Sequence, residues 1–137
     1  MIVVDTNVIA FSLIQGDKTK WAQQVRKFDS DWIVPGLWRS EFLNVLATLG
    51  KNRILTTEQC LQLWATAETL FSPKERAVDM KDSLVLALKE GITAYDAQYV
   101  TLACSLQVQC VTEDRRLLRR IPSTTICMRD FCTTRHS

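Results

Sequence analysis

Four carboxylates stand where a carboxylate is either chemically useful or hard to explain. Asp5 ends the apolar run Met1-Ile2-Val3-Val4 and is followed by Thr6 and Asn7. A buried strand of this kind delivers its last residue to the carboxyl edge of a sheet. Asp114, in Val111-Thr112-Glu113-Asp114-Arg115, repeats the same strand-to-helix junction. Either Asp could simply cap the helix that follows, since Asp is a favoured N-cap and is stabilised at a positive helix end. Glu41 lies three residues after Trp38 and four before Val45, on a helical stripe that should be buried. A charge there needs a partner, and a salt bridge to an Arg would serve as well as a ligand. Asp96 shares an inward face with Val100 and Ala103, and it also completes Thr93-Ala94-Tyr95-Asp96, a capping box with the shorter acid.

Two carboxylates at strand ends and two on inward helix faces would meet at one edge of a sheet, where open α/β folds bind ligands. Held together without a cation, they raise one another's pKa and cost stability. Oxygen ligands alone select a hard ion, Mg2+ or Mn2+. Such ions keep waters and bind phosphate oxygens. The chemistry implied is phosphodiester hydrolysis by an activated water, in line with the leaving oxygen and without a side-chain nucleophile.

The elements that must position these groups alternate along the chain. Short strands are expected at the N-terminal run, at Trp32-Ile33-Val34, over Arg76 to Met80, at Gln109-Cys110-Val111 and at Thr125-Ile126-Cys127. Helices are expected from Thr6 to Ile14, Lys18 to Phe28, Leu37 to Leu49 with Gly50 as the stop, from Thr56 or Thr57 to Phe71, Asp82 to Glu90 closed by Gly91, and from Thr93 onward, the last carrying Tyr95, Tyr99, Val100, Leu102, Ala103 and Leu106 as its apolar residues. Short strands between longer helices indicate an α/β fold whose parallel sheet is covered on both faces. Trp21, Trp38 and Trp64 fit helical core stripes better than exposed rings on which bases could stack; Trp32 is open to either reading. The segment after Asp130 carries no signal.

Composition removes several classes. The 137 residues, 47% hydrophobic, suit one domain over 1–137 with a sizeable core. No stretch is long or apolar enough to span a membrane and no leader is evident, so a cytoplasmic location is expected. Five cysteines, unpaired in spacing and set among apolar neighbours, read as buried free thiols. A zinc site is disfavoured because the single His, His136, cannot complete a tetrahedral set. A net charge of +2 does not announce a nucleic-acid partner. Arg115, Arg116, Arg119 and Arg120 do form a local basic patch, able to grip phosphate or to serve as a solvated helix face.

These residues carry a family resemblance. Val3-Val4-Asp5-Thr6-Asn7-Val8, Ser40-Glu41-Phe42-Leu43-Asn44-Val45-Leu46, Tyr95-Asp96-Ala97-Gln98-Tyr99-Val100-Thr101-Leu102-Ala103 and Val111-Thr112-Glu113-Asp114-Arg115-Arg116-Leu117-Leu118, in this order and spacing, resemble a PIN-domain ribonuclease of the VapC toxin type. The resemblance implies a three-layer α/β/α domain around a roughly five-stranded parallel sheet. It also implies an acidic quartet of Asp5, Glu41, Asp96 and Asp114 that binds Mg2+ or Mn2+. Thr6 and Thr112 fall where the family keeps hydroxyls supporting metal or water, and Asn7 where a residue holds the site together. The implied partners are an RNA substrate, a second copy of the chain, and a cognate antitoxin lying across the groove; Arg115 and Arg116 of the basic patch are the candidate RNA contacts.

Rival readings fit less well. A haloacid-dehalogenase-like phosphatase also starts with a strand ending in Asp but needs a second Asp where Asn7 stands. A response-regulator receiver needs an adjacent acidic pair after the first strand and a Lys after the last, and neither is present. A PIN-fold module that binds RNA or protein without cutting is the alternative from a different class.

Overall fold

A computed structural model describes residues 1–136; the side chain of His136, on which the zinc argument turned, lies outside the description. Its five strands are β1 (Ile2–Val4), β2 (Trp32–Pro35), β3 (Glu75–Arg76), β4 (Cys110–Val111) and β5 (Thr125–Ile126). All pair in parallel, in the order β3-β2-β1-β4-β5. β1 is central: Ile2 and Val3 register with Trp32 and Ile33 on one side, while Val3 and Val4 register with Cys110 and Val111 on the other. The order reverses at β1, because the chain leaves it toward β2 and later returns to its other side as β4. Such a switch point opens a crevice beyond the carboxyl ends of β1 and β4.

The eight helices of the described residues are α1 (Thr6–Leu13), α2 (Thr19–Phe28), α3 (Trp38–Lys51), α4 (Thr57–Phe71), α5 (Met80–Glu90), α6 (Ala94–Leu106), α7 (Arg115–Arg120) and α8 (Met128–His136). Strand alternation sorts side chains between two faces. Ile2, Val4, Trp32, Val34 and Val111 pack against Val8, Ile9, Val25, Trp38, Phe42, Phe71 and Phe131, which come from α1, α2, α3, α4 and α8. Val3, Ile33 and Cys110 turn the other way, onto Tyr99, Leu102 and Ala103 of α6. The result is a three-layer α/β/α domain with a five-stranded parallel sheet, as the sequence led one to expect. None of its helices is long and apolar enough to cross a membrane.

The tryptophans hold the first layer. Trp38 stacks on Trp64 with centroids 5.5 Å apart and meets Phe71 at 5.7 Å, and Trp32 stacks on Phe71 at 6.2 Å. Trp32 and Trp38 are fully buried, which settles Trp32 as core; Trp21 and Trp64 are half-buried. Trp38 Nε1 donates to Glu75 Oε1 at 2.7 Å, and Arg39 Nε reaches the same oxygen at 2.5 Å. This fastens β3 to the start of α3.

Several expectations need correction. The strand expected over Arg76 to Met80 is only Glu75–Arg76, because the Asp79 side chain accepts the Asp82 N–H at 3.0 Å and starts α5 at Met80. Gly50 does not stop α3, which runs to Lys51. A Cβ on Gly50 would lie 3.4 Å from Cys60 Sγ, so its value is the close approach of α4; the chain reverses instead at Arg53, with φ of 58°. The last helix, α8, was not foreseen, although Met128, Phe131 and Cys132 bury one face of it. The cysteines are free, but only Cys110 and Cys132 are buried, and Cys104 is exposed. On α5 the apolar face points outward: Met80, Leu84, Val85 and Leu88 are exposed, and the helix buries Ser83 and Ala87.

Candidate active site

At the switch point, Asp5 follows β1 and Thr112 follows β4. Both are buried, and Thr112 Oγ1 donates to Asp5 Oδ2 at 2.7 Å. Asp5 does cap α1, but by accepting the N–H of the adjacent Thr6 at 2.7 Å. An ordinary N-cap reaches the second or third helical N–H. Here Oδ1 takes the nearest amide while Oδ2 is held by Thr112 and Asn7, so capping uses only one of the two oxygens. Asn7 joins the two strand ends, its Nδ2 at 3.5 Å from Asp5 Oδ2 and its Oδ1 accepting the Glu113 N–H at 3.4 Å.

Burial is the main reason that the Asp5 carboxyl is pushed up to about 7, and the charges of Asp96 and Glu41 push in the same direction against the Thr112 hydrogen bond. Asp96, one turn into α6, is also raised. Burial leads there, followed by the charge of Asp114 and then of Glu41, against the Thr93 hydroxyl and the Arg116 guanidinium. Through these couplings Asp5, Glu41, Asp96 and Asp114 form one electrostatic group drawn from β1, α3, α6 and the β4–α7 junction.

Each bland explanation can now be weighed. Glu41 has no ion pair with any described residue; its Oε1 accepts from Thr6 Oγ1 at 3.0 Å and from Tyr99 OH at 2.6 Å. The salt bridge to an Arg is not made. At Asp96 only half of the capping box forms: Thr93 Oγ1 accepts the Asp96 N–H at 3.0 Å, and the carboxylate does not return to the Thr93 backbone. Asp114 is a regular cap, its Oδ1 accepting the Arg116 and Leu117 N–H groups at 2.9 and 3.1 Å, while its own N–H is held by Thr112 Oγ1 at 3.1 Å. Thr112 therefore links the Asp5 carboxylate to the backbone of Asp114 through one hydroxyl.

The donor set is oxygen throughout, which fits a hard ion such as Mg2+ or Mn2+ better than a softer one. Among the described residues no three His, Cys, Asp or Glu side chains close around a single point. Mg2+ does not require that, since one or two carboxylates with retained waters commonly hold it.

The basic patch divides. Arg116 donates to Gly91 O at 3.1 Å and Arg120 to Glu90 O at 3.5 Å, so both ride on the carboxyl end of α5, where a cation is favoured by the helix dipole. Arg115 is exposed and makes no hydrogen bond or ion pair with a described residue. Glu113, beside the quartet, is structural: it pairs with Lys18 Nζ at 3.2 Å and accepts the Met128 N–H at 2.8 Å.

Tyr99 is the site residue that sequence reasoning passed over as an apolar core position. Its phenol, buried beside Glu41, is raised far above its usual range and stays protonated. Its hydroxyl is also 2.5 Å from Thr6 Oγ1. The available signal was its position three residues after Asp96, which puts both on one helical face, combined with the need of a buried hydroxyl for a partner.

Known proteins bear on this arrangement. Ribonuclease VapC3 of Pyrobaculum aerophilum is 28% identical to the chain over 126 residues, 89% of this chain and 95% of that protein. The crystal structure of PAE2754 from Pyrobaculum aerophilum aligns with a TM-score of 0.77 over 98% of this chain and 88% of that one, at 18% identity, which is a likeness of fold. The PIN domain family matches residues 2–123. Because that match runs from the first strand to the turn before β5, and takes in the whole sheet edge bearing the carboxylates, the chain belongs to the PIN domain family.

Proposed function

We propose that the chain is a Mg2+- or Mn2+-dependent endoribonuclease, the toxin of a toxin–antitoxin pair, working in the cytoplasm as a homodimer of single domains spanning residues 1–137. The observation that carries this reading is the buried Asp5 carboxylate, held by Thr112 at the switch point and coupled to Asp96 and Glu41. A carboxylate kept there against its own desolvation needs a cation. The name of the VapC3 relative, a ribonuclease, supports RNA as the substrate class, and the resemblance of the sequence motifs to VapC-type toxins supports the antitoxin as the partner.

Asp5, Glu41, Asp96 and Asp114 are the residues that would hold the ion. Bound among them, it supplies positive charge at the phosphate oxygens and readies a water for in-line attack. The chain contributes position: Thr112 and Thr6 orient Asp5 and Glu41, and Asn7 keeps the ends of β1 and β4 together. No hydroxyl or thiol of the chain is needed as a nucleophile.

The test is incubation of a cellular RNA pool with purified protein and Mg2+ or Mn2+, beside EDTA and Asp96→Asn. Discrete cuts that need both the metal and Asp96 are expected; equal cutting by Asp96→Asn would overturn the assignment. Arg115 offers a separate check on the RNA surface. Arg115→Ala should lower the log-log salt slope of RNA binding by about 0.7 with an unchanged melting curve, because a free guanidinium on a phosphate releases about that many counterions. Arg116→Ala should also lower the melting temperature, through the lost Gly91 contact. An unchanged slope in Arg115→Ala makes the patch plain surface.

A further inference from the structure

We infer that Tyr99 is a positioning residue for Glu41, presenting that carboxylate to the cation through one oxygen only; the inference rests on the reading that Glu41 holds the ion. Tyr99 is fully buried, and its ring packs with Val3, Ile33, Leu102 and Cys110. Its hydroxyl donates to Glu41 Oε1 at 2.6 Å, and Thr6 Oγ1 reaches the same oxygen at 3.0 Å. The two hydroxyls are also 2.5 Å from each other, so with Oε1 they form one three-oxygen network in which the phenol proton goes to Glu41 and the Thr6 proton is shared between Oε1 and the Tyr99 oxygen. Oε2 carries no hydrogen bond from a described residue and is the oxygen left for an ion or a water.

The geometry makes Tyr99 a brace between elements. Asp96 and Tyr99 lie one turn apart on α6, so the bond to Glu41 fixes the spacing of α6 and α3, and the Thr6 hydroxyl beside both brings in α1. Without the phenol, Oε1 keeps only Thr6. The carboxylate then turns more freely, and ordering it again is charged against metal binding.

The test is calorimetric titration of Mn2+ into wild type, Tyr99→Phe, Glu41→Gln and the double variant, with urea unfolding of each in EDTA. Tyr99→Phe keeps the ring and its packing. Mn2+ affinity is expected to fall about 10-fold to 100-fold, in the range of outer hydrogen-bond partners of ligands. The double variant is expected to bind no more weakly than Glu41→Gln alone, because the phenol acts through that carboxylate. Leu102→Val, in the same core cluster, is expected to unfold earlier yet bind Mn2+ as wild type does, which separates positioning from packing. Should Tyr99→Phe fail to fold, Thr6→Val removes the other donor to Oε1 and is expected to weaken Mn2+ binding in the same way. Unchanged affinity in Tyr99→Phe overturns the inference while leaving the metal reading intact. Wild type without saturable Mn2+ binding overturns both.

Discussion

Asp5→Asn is expected to abolish RNA cleavage while making the metal-free protein more stable at pH 8. The two effects share one cause. Folding buries Asp5 beside Asp96 and Glu41, so its carboxyl titrates at about 7 in place of 3.8. Between those values the folded chain holds a proton that the unfolded chain has released. The stability tied to this group is therefore full below pH 4 and is lost as the pH rises through 7. Keeping the charge buried at pH 8 costs on the order of 4 kcal/mol against the unfolded state. Asn removes the charge, and its single carbonyl oxygen can accept from Thr112 or from the Thr6 N–H but not from both; with no group titrating there, the metal-free variant should show a flatter stability profile between pH 4 and 8. Saturating Mn2+ should stabilise wild type and leave the variant unmoved. Urea unfolding across that pH range, with and without Mn2+, reads all of this; a wild type that loses no more stability than the variant between pH 4 and 8 contradicts the burial of an uncompensated carboxylate.

Trp38→Ala acts in the opposite sense, through stability alone. Trp38 is fully buried, stacks on Trp64 at 5.5 Å, lies against Phe71 at 5.7 Å and binds Glu75 through its indole N–H. Emptying such a position costs about 3 to 5 kcal/mol, a large share of the 5 to 15 kcal/mol that holds an ordinary domain together. The expected result is a much lower urea midpoint with an unchanged slope. Trp38→Phe keeps ring contact and loses mainly the Glu75 bond, so it should fall between. A Trp38→Ala midpoint equal to wild type would mean that the α3–α4 layer is not the core described above.

The layers and the sheet edge were readable in the sequence because each rests on a local pattern. Val3 and Val4 before Asp5, and Val111 before Thr112, mark strands buried on both faces, and the Trp38, Phe42 and Leu46 stripe marks the inward side of α3. The charge of Glu41 on that side was an anomaly visible without coordinates. What its partner would be was not, since a buried Glu can meet an Arg or two hydroxyls, and only the packing of α6 against β1 brings Tyr99 to it. Tyr99 counted as a large apolar residue and its hydroxyl was overlooked. The end of β3 was misplaced because Val78 and Met80 continue an apolar run, while a single side-chain cap at Asp79 decides for helix. For α5, apolar spacing was legible but its direction was not: periodicity shows a stripe and says nothing of which side the rest of the chain covers. That capping engages only one oxygen of Asp5, leaving the other to Thr112 at the end of β4, is something no spacing argument reveals.

The most direct test of the central claim is RNA cleavage in oxygen-18 water, with the new ends analysed by mass spectrometry and with added Mg2+ or Mn2+ compared against EDTA. The account predicts metal-dependent cuts whose new terminal phosphate carries one solvent oxygen, with no such product from Asp5→Asn. Cleavage that persists in EDTA, or that leaves a 2′,3′-cyclic phosphate without solvent oxygen, would contradict it.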